Sequence, residues 1–452
     1  MGRFEKPFQT LQPNFKLSQE IQGFSTDSRH IRPGEIFVAI SGEKFDGHDF
    51  VAEISTQGAL GAIVSKSAIL KDSDKIPSGF PLFQVENTTE ALRTIAAAYR
   101  KALTIPIIAV GGSNGKTTTK EWIAHLLANK LENSQKVYKT AKSLNSILGI
   151  ALSILSIRDE EVAVIEIGID EPGWMDQHLA VVQPTHGILT TIAEEHLNRL
   201  SNIETVAKEE LKLFQFLIQK TAGHFAANID SPYIAKAISE EKIISDRLIT
   251  YGLDGKAMIE GRYLAPHRLH SFGVEWQNPL PGKHNAQNLL AAISMLRLLY
   301  PSITRAELMR ISESTQNFKG EAHRSRWINS KNDVRIFDDC YNANPSSMEA
   351  SLQTFIELTD GCHQHVVLGD MLDLGSASDD AHRRILNVVS VLNFDHIYLF
   401  GPEFRKAYDG MIRKPENISC FLEMEMLIAT LKKNLNAGHT VFLKGSRGMA
   451  LE

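Results

Sequence analysis

Short apolar runs alternate with longer mixed stretches along most of this chain. The runs at 107–110, 162–167, 187–192 and 224–229 read as buried strands. The stretches after them, such as 203–218, carry apolar residues at helical spacing. A second alternation starts near 317, with strands at 334–338, 365–368, 396–400 and 439–443 and helices at 346–358, 381–392 and 423–434. A shorter block precedes both: strands at 34–40 and 61–64, then a helix at 90–103 leading to Pro106. A helix at 286–299 closes the middle block before Pro301. Strands and helices in strict alternation predict an α/β protein whose sheets are mostly parallel and covered on both faces. The expected units are 1–100, 101–316 and 317–452.

The chain has 452 residues and 43% apolar content, enough for several cores. Its formal charge of −5 leaves no basic footprint for nucleic acid. The three cysteines, Cys340, Cys362 and Cys420, have no paired spacing, which argues against a disulfide framework or thiolate zinc site and fits a reducing cytoplasm. The first residues lack an apolar signal core. No apolar run approaches the roughly 18–20 residues that span a bilayer.

The most informative segment is Gly111-Gly112-Ser113-Asn114-Gly115-Lys116-Thr117-Thr118-Thr119-Lys120, between a strand and a helix. A glycine loop there turns backbone N–H groups toward phosphates; Lys116 neutralises the outer phosphates and the Thr117 hydroxyl can ligate Mg²⁺. Position 110 is Val, where the strict pattern asks for Gly. Glu166 stands near the end of the next apolar strand, at the sheet edge where ligands collect, and can hold a nucleotide's metal. His196 follows the strand after that. In Gly282-Lys283-His284-Asn285-Ala286-Gln287-Asn288, Asn285 reads as a helix cap, whereas Asn288 lies too deep for one. Asp338-Asp339-Cys340-Tyr341-Asn342-Ala343-Asn344-Pro345 crowds acids and amides into one turn, which fits either ribose recognition or an elaborate cap. Asp370 and the run Lys444-Gly445-Ser446-Arg447 follow strands of the last block and read as ligand loops, with Lys444 and Arg447 receiving a carboxylate. In the first block Ser28, Arg29 and His48 stand in polar turns that suit an anion or plain turn chemistry equally.

Taken together, these segments resemble the Mur ligases of bacterial peptidoglycan synthesis over nearly the whole chain. GSNGKTTTK resembles their ATP loop; IEIGIDEPGWM, TTIAEEHL and GKHNAQN come next in the family's order. DSRHIRPGEIFVAISGEKFDGH, DDCYNANPSSMEA, LGDMLDLG and LKGSRGM are most similar to the members that add D-Ala-D-Ala to UDP-N-acetylmuramoyl-tripeptide. The resemblance implies a UDP-substrate domain, a central ATPase domain and a Rossmann-like C-terminal domain, working as a cytoplasmic ligase, expected to be monomeric, with ATP and Mg²⁺. The rivals are a sister ligase adding one amino acid, a folylpolyglutamate-type ligase and a regulatory ATP switch.

By the same resemblance Gly112, Ser113, Asn114, Gly115, Lys116, Thr117 and Thr118 hold ATP, with Lys116 and Thr117 at the β/γ-phosphates and Mg²⁺. Glu166 and His196 hold Mg²⁺ directly or through water. Asn288 meets the adenine, Asp339 the ribose hydroxyls with Asn342 beside it, and Arg324 the transferred phosphate. Ser28, Arg29, Asp46, Gly47 and His48 lie by the uridine diphosphate. Tyr341, Asn344, Asp370, Lys444, Ser446 and Arg447 form the expected dipeptide side. Two departures stand out. Where relatives have a lysine carbamylated by CO₂, fourteen residues after the motif histidine, this chain has Glu210; it is expected to supply a metal-binding carboxylate directly, unless a one-turn slip puts another lysine there. Relatives are also expected to continue with a further helix after the KGSRGM motif.

Overall fold

A computed structural model of the chain describes residues 2–12, 19–42, 44–221, 223–240 and 247–452. Among the described residues four sheets are formed. The first has four parallel strands in the order β1 (Gly23–Ser25), β2 (Glu35–Val38), β3 (Gly61–Ser65) and β4 (Leu82–Val85). The helix Thr88–Ala102, capped by Asn87, then leads into the middle of the chain.

The central sheet has seven parallel strands: β5 (Ile107–Gly111), β6 (Val137–Lys139), β7 (Val162–Glu166), β8 (His186–Leu189), β9 (His224–Asn228), β10 (Leu248–Gly252) and β11 (Ile259–Glu260). Their spatial order is β11-β10-β9-β8-β5-β7-β6. The chain leaves β5 toward one side and returns to its other side at β8, so the switch point falls at the C-terminal end of β5. Alternate β5 residues feed different cores. Ile107 and Ala109 join one cluster, whereas Ile108 and Val110 join another. The second cluster includes Trp122 and Leu126 of the helix Lys116–Lys130 and Leu289 and Ile293 of the helix Lys283–Leu299.

The pattern of apolar runs does not show the strands beyond β9. β10 and β11 extend the parallel sheet, and β12 (Arg262–Leu264), β13 (Arg268–Ser271) and β14 (Val274–Gln277) form a small antiparallel sheet. These strands are two to five residues long and none is buried throughout, so no apolar run marks them.

The last sheet contains β15 (Arg326–Asn329), β16 (Arg335–Asp338), β17 (Gln364–Gly369), β18 (His396–Phe400), β19 (Ile418–Phe421) and β20 (Thr440–Lys444), in the order β15-β16-β20-β17-β18-β19. Only β15 runs antiparallel. Its C-terminal edge carries Asp339, Asp370 and Lys444. The first sheet and the central sheet share one core. Phe4, Ile36 and Val38 belong to the same cluster as Ile95, Ile154 and Ile165. Arg100, at the end of the linking helix, donates to the carbonyls of Val182 and Gln183 across this seam at 2.8 Å each. No described helix is long and apolar enough to cross a membrane.

Candidate active site

The glycine loop hangs from the end of β5. Gly112 (φ +109°) and Gly115 (φ +83°) adopt left-handed conformations that favour glycine. A Cβ on Gly115 would also collide with the Asn288 side chain. Gly115 then starts the helix Lys116–Lys130 without a side-chain cap. Among the described residues the N–H groups from Asn114 through Thr118 are unpaired, so five amides and the positive end of the helix dipole face one space. Two amides assigned to phosphate are used differently. Gly112 N–H donates to Glu210 Oε2 at 2.8 Å, and Ser113 N–H to the Thr191 carbonyl at 2.6 Å. Those two residues shape the loop, and the anion cradle begins one residue later.

That space is a pocket of about 460 Å³, within the usual size for small-molecule sites. Lys116, Thr117, Thr118, Glu166, His196 and Asn288 line it from the central unit, and Arg324, Asp339, Tyr341, Asn342 and Asn344 line it from the last. Glu166 ends β7; its Oε1 accepts from Thr117 Oγ1 at 3.1 Å and Asn145 Nδ2 at 3.0 Å. Its Oε2 lies 3.3 Å from the ammonium of Lys120, which is fully buried and also donates to the Lys142 carbonyl. Lys116 Nζ sits 3.3 Å from Glu195 Oε2. Burial opposes its charge, but Glu195, Glu210 and Glu166 outweigh burial and hold its pKa above the ordinary value. His196 has φ +48° and turns Nε2 to within 3.4 Å of Asp170 Oδ1.

Three carboxylate oxygens here are buried with no hydrogen-bond partner: Glu166 Oε2, Glu195 Oε1 and Glu210 Oε1. Glu166 and Glu195 line the pocket. Oxygen donors left unsaturated beside a threonine hydroxyl and a histidine suit a hard divalent cation, so the residues fit Mg²⁺.

Glu210 is placed otherwise than expected. It is 0% exposed and lies behind the loop, off the pocket wall, because a glutamate is several bonds shorter than a carbamylated lysine. Burial pushes its carboxyl up to about 8, against the pull of Lys116. Neither neighbouring lysine takes its place: Lys208 is exposed, and Lys212 pairs with Asp176 and Glu209 at 2.7 Å each.

The last unit closes the pocket. Arg324 Nη2 donates to Thr117 Oγ1 at 3.0 Å, and its guanidinium lies 3.9 Å from the Tyr341 ring centroid. Asn114, at the tip of the glycine loop, pairs reciprocally with Asn344 at 3.0 and 3.2 Å and donates to Ser346 at 2.9 Å. Asn344 also caps the helix Pro345–Leu358 by accepting from Ser347 N–H at 2.9 Å. Its amide therefore serves the cap and this bridge, not an incoming dipeptide. Asp339 takes Lys444 at 2.6 Å, Ser351 at 2.8 Å and the Ser325 N–H at 2.9 Å.

Several other expectations at this edge are corrected. Lys444 donates to Asp339 Oδ2 and to the carbonyls of Asp339 and Asn342, so no proton is left for a substrate carboxylate. Asp370 is buried and accepts the Glu403 and Phe404 N–H groups at 2.9 Å each, fastening the start of the helix Pro402–Asp409. Ser446 accepts from Leu372 N–H at 2.8 Å, and Arg447 pairs with Glu452 at 2.6 Å; neither lines the pocket. Asn285 is not a cap either. Gly282 holds the cap position, and Asn285 Nδ2 reaches back to the Pro281 carbonyl at 2.8 Å.

The set assigned to uridine diphosphate stays on the first unit, away from this pocket. His48 is 2% exposed; Nδ1 lies 2.6 Å from Asp46 Oδ1, and Nε2 accepts the Ser65 N–H at 2.9 Å. With both ring nitrogens engaged, His48 fastens the turn to β3. Gly47 is needed because a Cβ would lie 2.6 Å from Ile40 N. Ser28 is buried, whereas Arg29 is exposed and pairs with Asp27 at 2.8 Å.

Sequence reasoning missed Asn145, Ser143, Lys120, Asp170 and Glu195. All but Lys120 line the pocket. Glu195 stood next to the histidine already singled out, and Lys120 and Asp170 lay inside quoted motifs with nothing to distinguish them; Ser143 and Asn145 carry no local signal.

The chain belongs to the Mur ligase family. The Mur ligase family catalytic domain matches residues 20–100, the Mur ligase middle domain 110–296, and the Mur ligase glutamate ligase domain 323–447. Among curated relatives it is similar to the UDP-N-acetylmuramoyl-tripeptide–D-alanyl-D-alanine ligases of Bacillus subtilis (28% identical, 96% of this chain, 92% of the relative) and of Synechocystis (29%, 96% and 92%). Among solved structures it is similar to MurF from Acinetobacter baumannii, with a TM-score of 0.82 at 25% identity over 98% of this chain and 95% of that one. MurF ligase from Thermotoga maritima in complex with ADP has the same fold, with a TM-score of 0.77 at 24% identity over 95% of each chain.

Proposed function

We propose that this chain joins D-Ala-D-Ala to UDP-N-acetylmuramoyl-tripeptide at the expense of ATP, in the cytoplasm. The observation that carries the reading is the pocket shared by two units, in which the phosphate loop and Arg324 meet at Thr117. The full-length similarity to the D-alanyl-D-alanine ligases supports the choice of substrates. Three cysteines without a disulfide fit a reducing compartment.

The triphosphate lies along the free amides of Asn114 to Thr118, with Lys116 at its outer phosphates. Asp339 and Asn342 face the ribose and Asn288 the base. The terminal carboxylate of the tripeptide attacks the γ-phosphorus. The bond to the β–γ bridging oxygen breaks, ADP leaves, and an acyl phosphate forms. The free amine of D-Ala-D-Ala then adds to the acyl carbon; the tetrahedral intermediate expels phosphate, and the nitrogen loses a proton to give the amide. Both partners of the first step are anions, so its barrier is largely electrostatic. Lys116 and Arg324 lower it from opposite units. Thr117, Glu166 and His196 would hold Mg²⁺, which when bound neutralises phosphate oxygens. Arg324 comes from the last unit, so the reactive arrangement exists only while that unit is docked.

The test is product mass from purified protein with ATP, Mg²⁺, UDP-N-acetylmuramoyl-tripeptide and either D-Ala-D-Ala or single amino acids. The expected result is a pentapeptide product with D-Ala-D-Ala alone. A product only with D-Glu, L-Lys or meso-diaminopimelate would assign a sister reaction. ATP hydrolysis without any peptide product would assign a switch.

A further inference from the structure

Glu210 has no function in the ligation chemistry proposed for the pocket. It is fully buried, and it reaches the phosphate loop from the helix Ile203–Phe216. Its Oε2 accepts the Gly112 N–H at 2.8 Å, and a Cβ on Gly111 would lie 2.8 Å from that same oxygen.

The loop needs such an anchor. A glycine at positive φ gives the turn its shape but costs more backbone entropy to fix than any other residue. The far side of the loop is held by one segment. Thr191 accepts from Ser113 N–H at 2.6 Å, Thr190 Oγ1 donates to the Asn114 carbonyl at 2.6 Å, and Ser113 Oγ exchanges hydrogen bonds with Ala193 at 2.9 and 3.0 Å. The near side, at Gly112 itself, is held by the Glu210 side chain. This acid is thus a built-in part of the cradle, and it stands off the wall that faces the ligand.

Resting on the ATP-dependent reading, we propose that Glu210 is a positioning residue that clamps the Gly112 amide and presets the phosphate cradle, and that it is not a ligand of the metal. A clamp needs an acceptor at that point, whereas a metal ligand needs the charge.

The two requirements separate in Glu210→Gln, which keeps an acceptor and loses the charge, and Glu210→Ala, which loses both. The measurements are calorimetric binding of ADP with Mg²⁺ and with EDTA, half-saturating Mg²⁺ in turnover, kcat and KM for ATP, and the thermal midpoint. The clamp predicts that Gln binds ADP within about 3-fold of wild type at unchanged half-saturating Mg²⁺. Ala should bind about 10-fold more weakly whether or not Mg²⁺ is present, the size of one lost hydrogen bond to a buried donor. Glu210→Met, which fills the space without an acceptor, reads the same loss if Ala does not fold. The proposal is overturned if Gln is as damaging as Ala and raises half-saturating Mg²⁺ about tenfold, or if the variants lacking an acceptor bind ADP as wild type does. Wild-type protein that binds no nucleotide would instead sink the ATP-dependent reading itself.

Discussion

Two sheet edges meet at the pocket, and they treat their polar residues differently. At the edge of the central sheet, five amides are unpaired, Glu195 leaves a buried oxygen without a hydrogen-bond partner, and Glu166 Oε2 has only the ion pair with Lys120 at 3.3 Å. At the edge of the last sheet, Asp370 and Ser446 are taken up by the backbone, and Lys444 by Asp339 and two carbonyls. Both edges look alike as strings of Asp, Lys, Ser and Gly. The difference teaches that an open valence on a buried group marks chemistry, and a closed one marks architecture.

The comparison breaks most sharply at Lys116. Lys116→Ala should lower turnover by about a thousandfold or more, read as phosphate release, with little change in thermal midpoint. Near-normal turnover would remove the central edge from the mechanism. Glu166→Gln comes next. It keeps the size and the bond to Thr117 but loses the charge, and should lower kcat about a hundredfold while raising half-saturating Mg²⁺. At the opposing edge the effect should change in kind. Asp370→Ala orphans the buried Phe404 N–H and the part-buried Glu403 N–H, so it should lower stability by about 1–3 kcal/mol in denaturant unfolding while leaving KM for each substrate nearly unchanged. A large rise in KM for the dipeptide would return Asp370 to the binding surface.

The smallest effect concerns acid. Burial raises Asp339's pKa, but Lys444 at 2.6 Å outweighs it and holds the carboxyl below its ordinary 3.8. A depressed folded value means that the pair stabilises the protein above about pH 4, and that this contribution fades as pH falls through the folded value. Lys444→Met should therefore flatten the acid side of the stability profile; an unchanged profile would show the pair to be neutral.

The phosphate loop was legible because its chemistry is local: glycines at positive φ, a lysine and a threonine are contiguous, with a strand and helix on either side. Glu166 was legible because a charge ending an apolar strand is conspicuous. Lys120 was not, since its value lies in reaching across to β7. The roles of His48, Asn344 and Lys444 were not legible either. Residue type shows that a group can donate or accept, and only the fold shows whether a neighbour already takes that capacity. Glu210 combines both cases, its position visible in the chain and its Gly112 partner visible only in three dimensions.

The core that runs unbroken from Phe4 and Val38 to Ile154 and Ile165 has a mechanical meaning. Sliding across it would bare oily side chains to water, so the first two sheets are held together as one stiff body. The buried residues under the last sheet form clusters of their own. An opening that parts the last unit from the other two would turn on the connection between Thr315–Asn317 and β15.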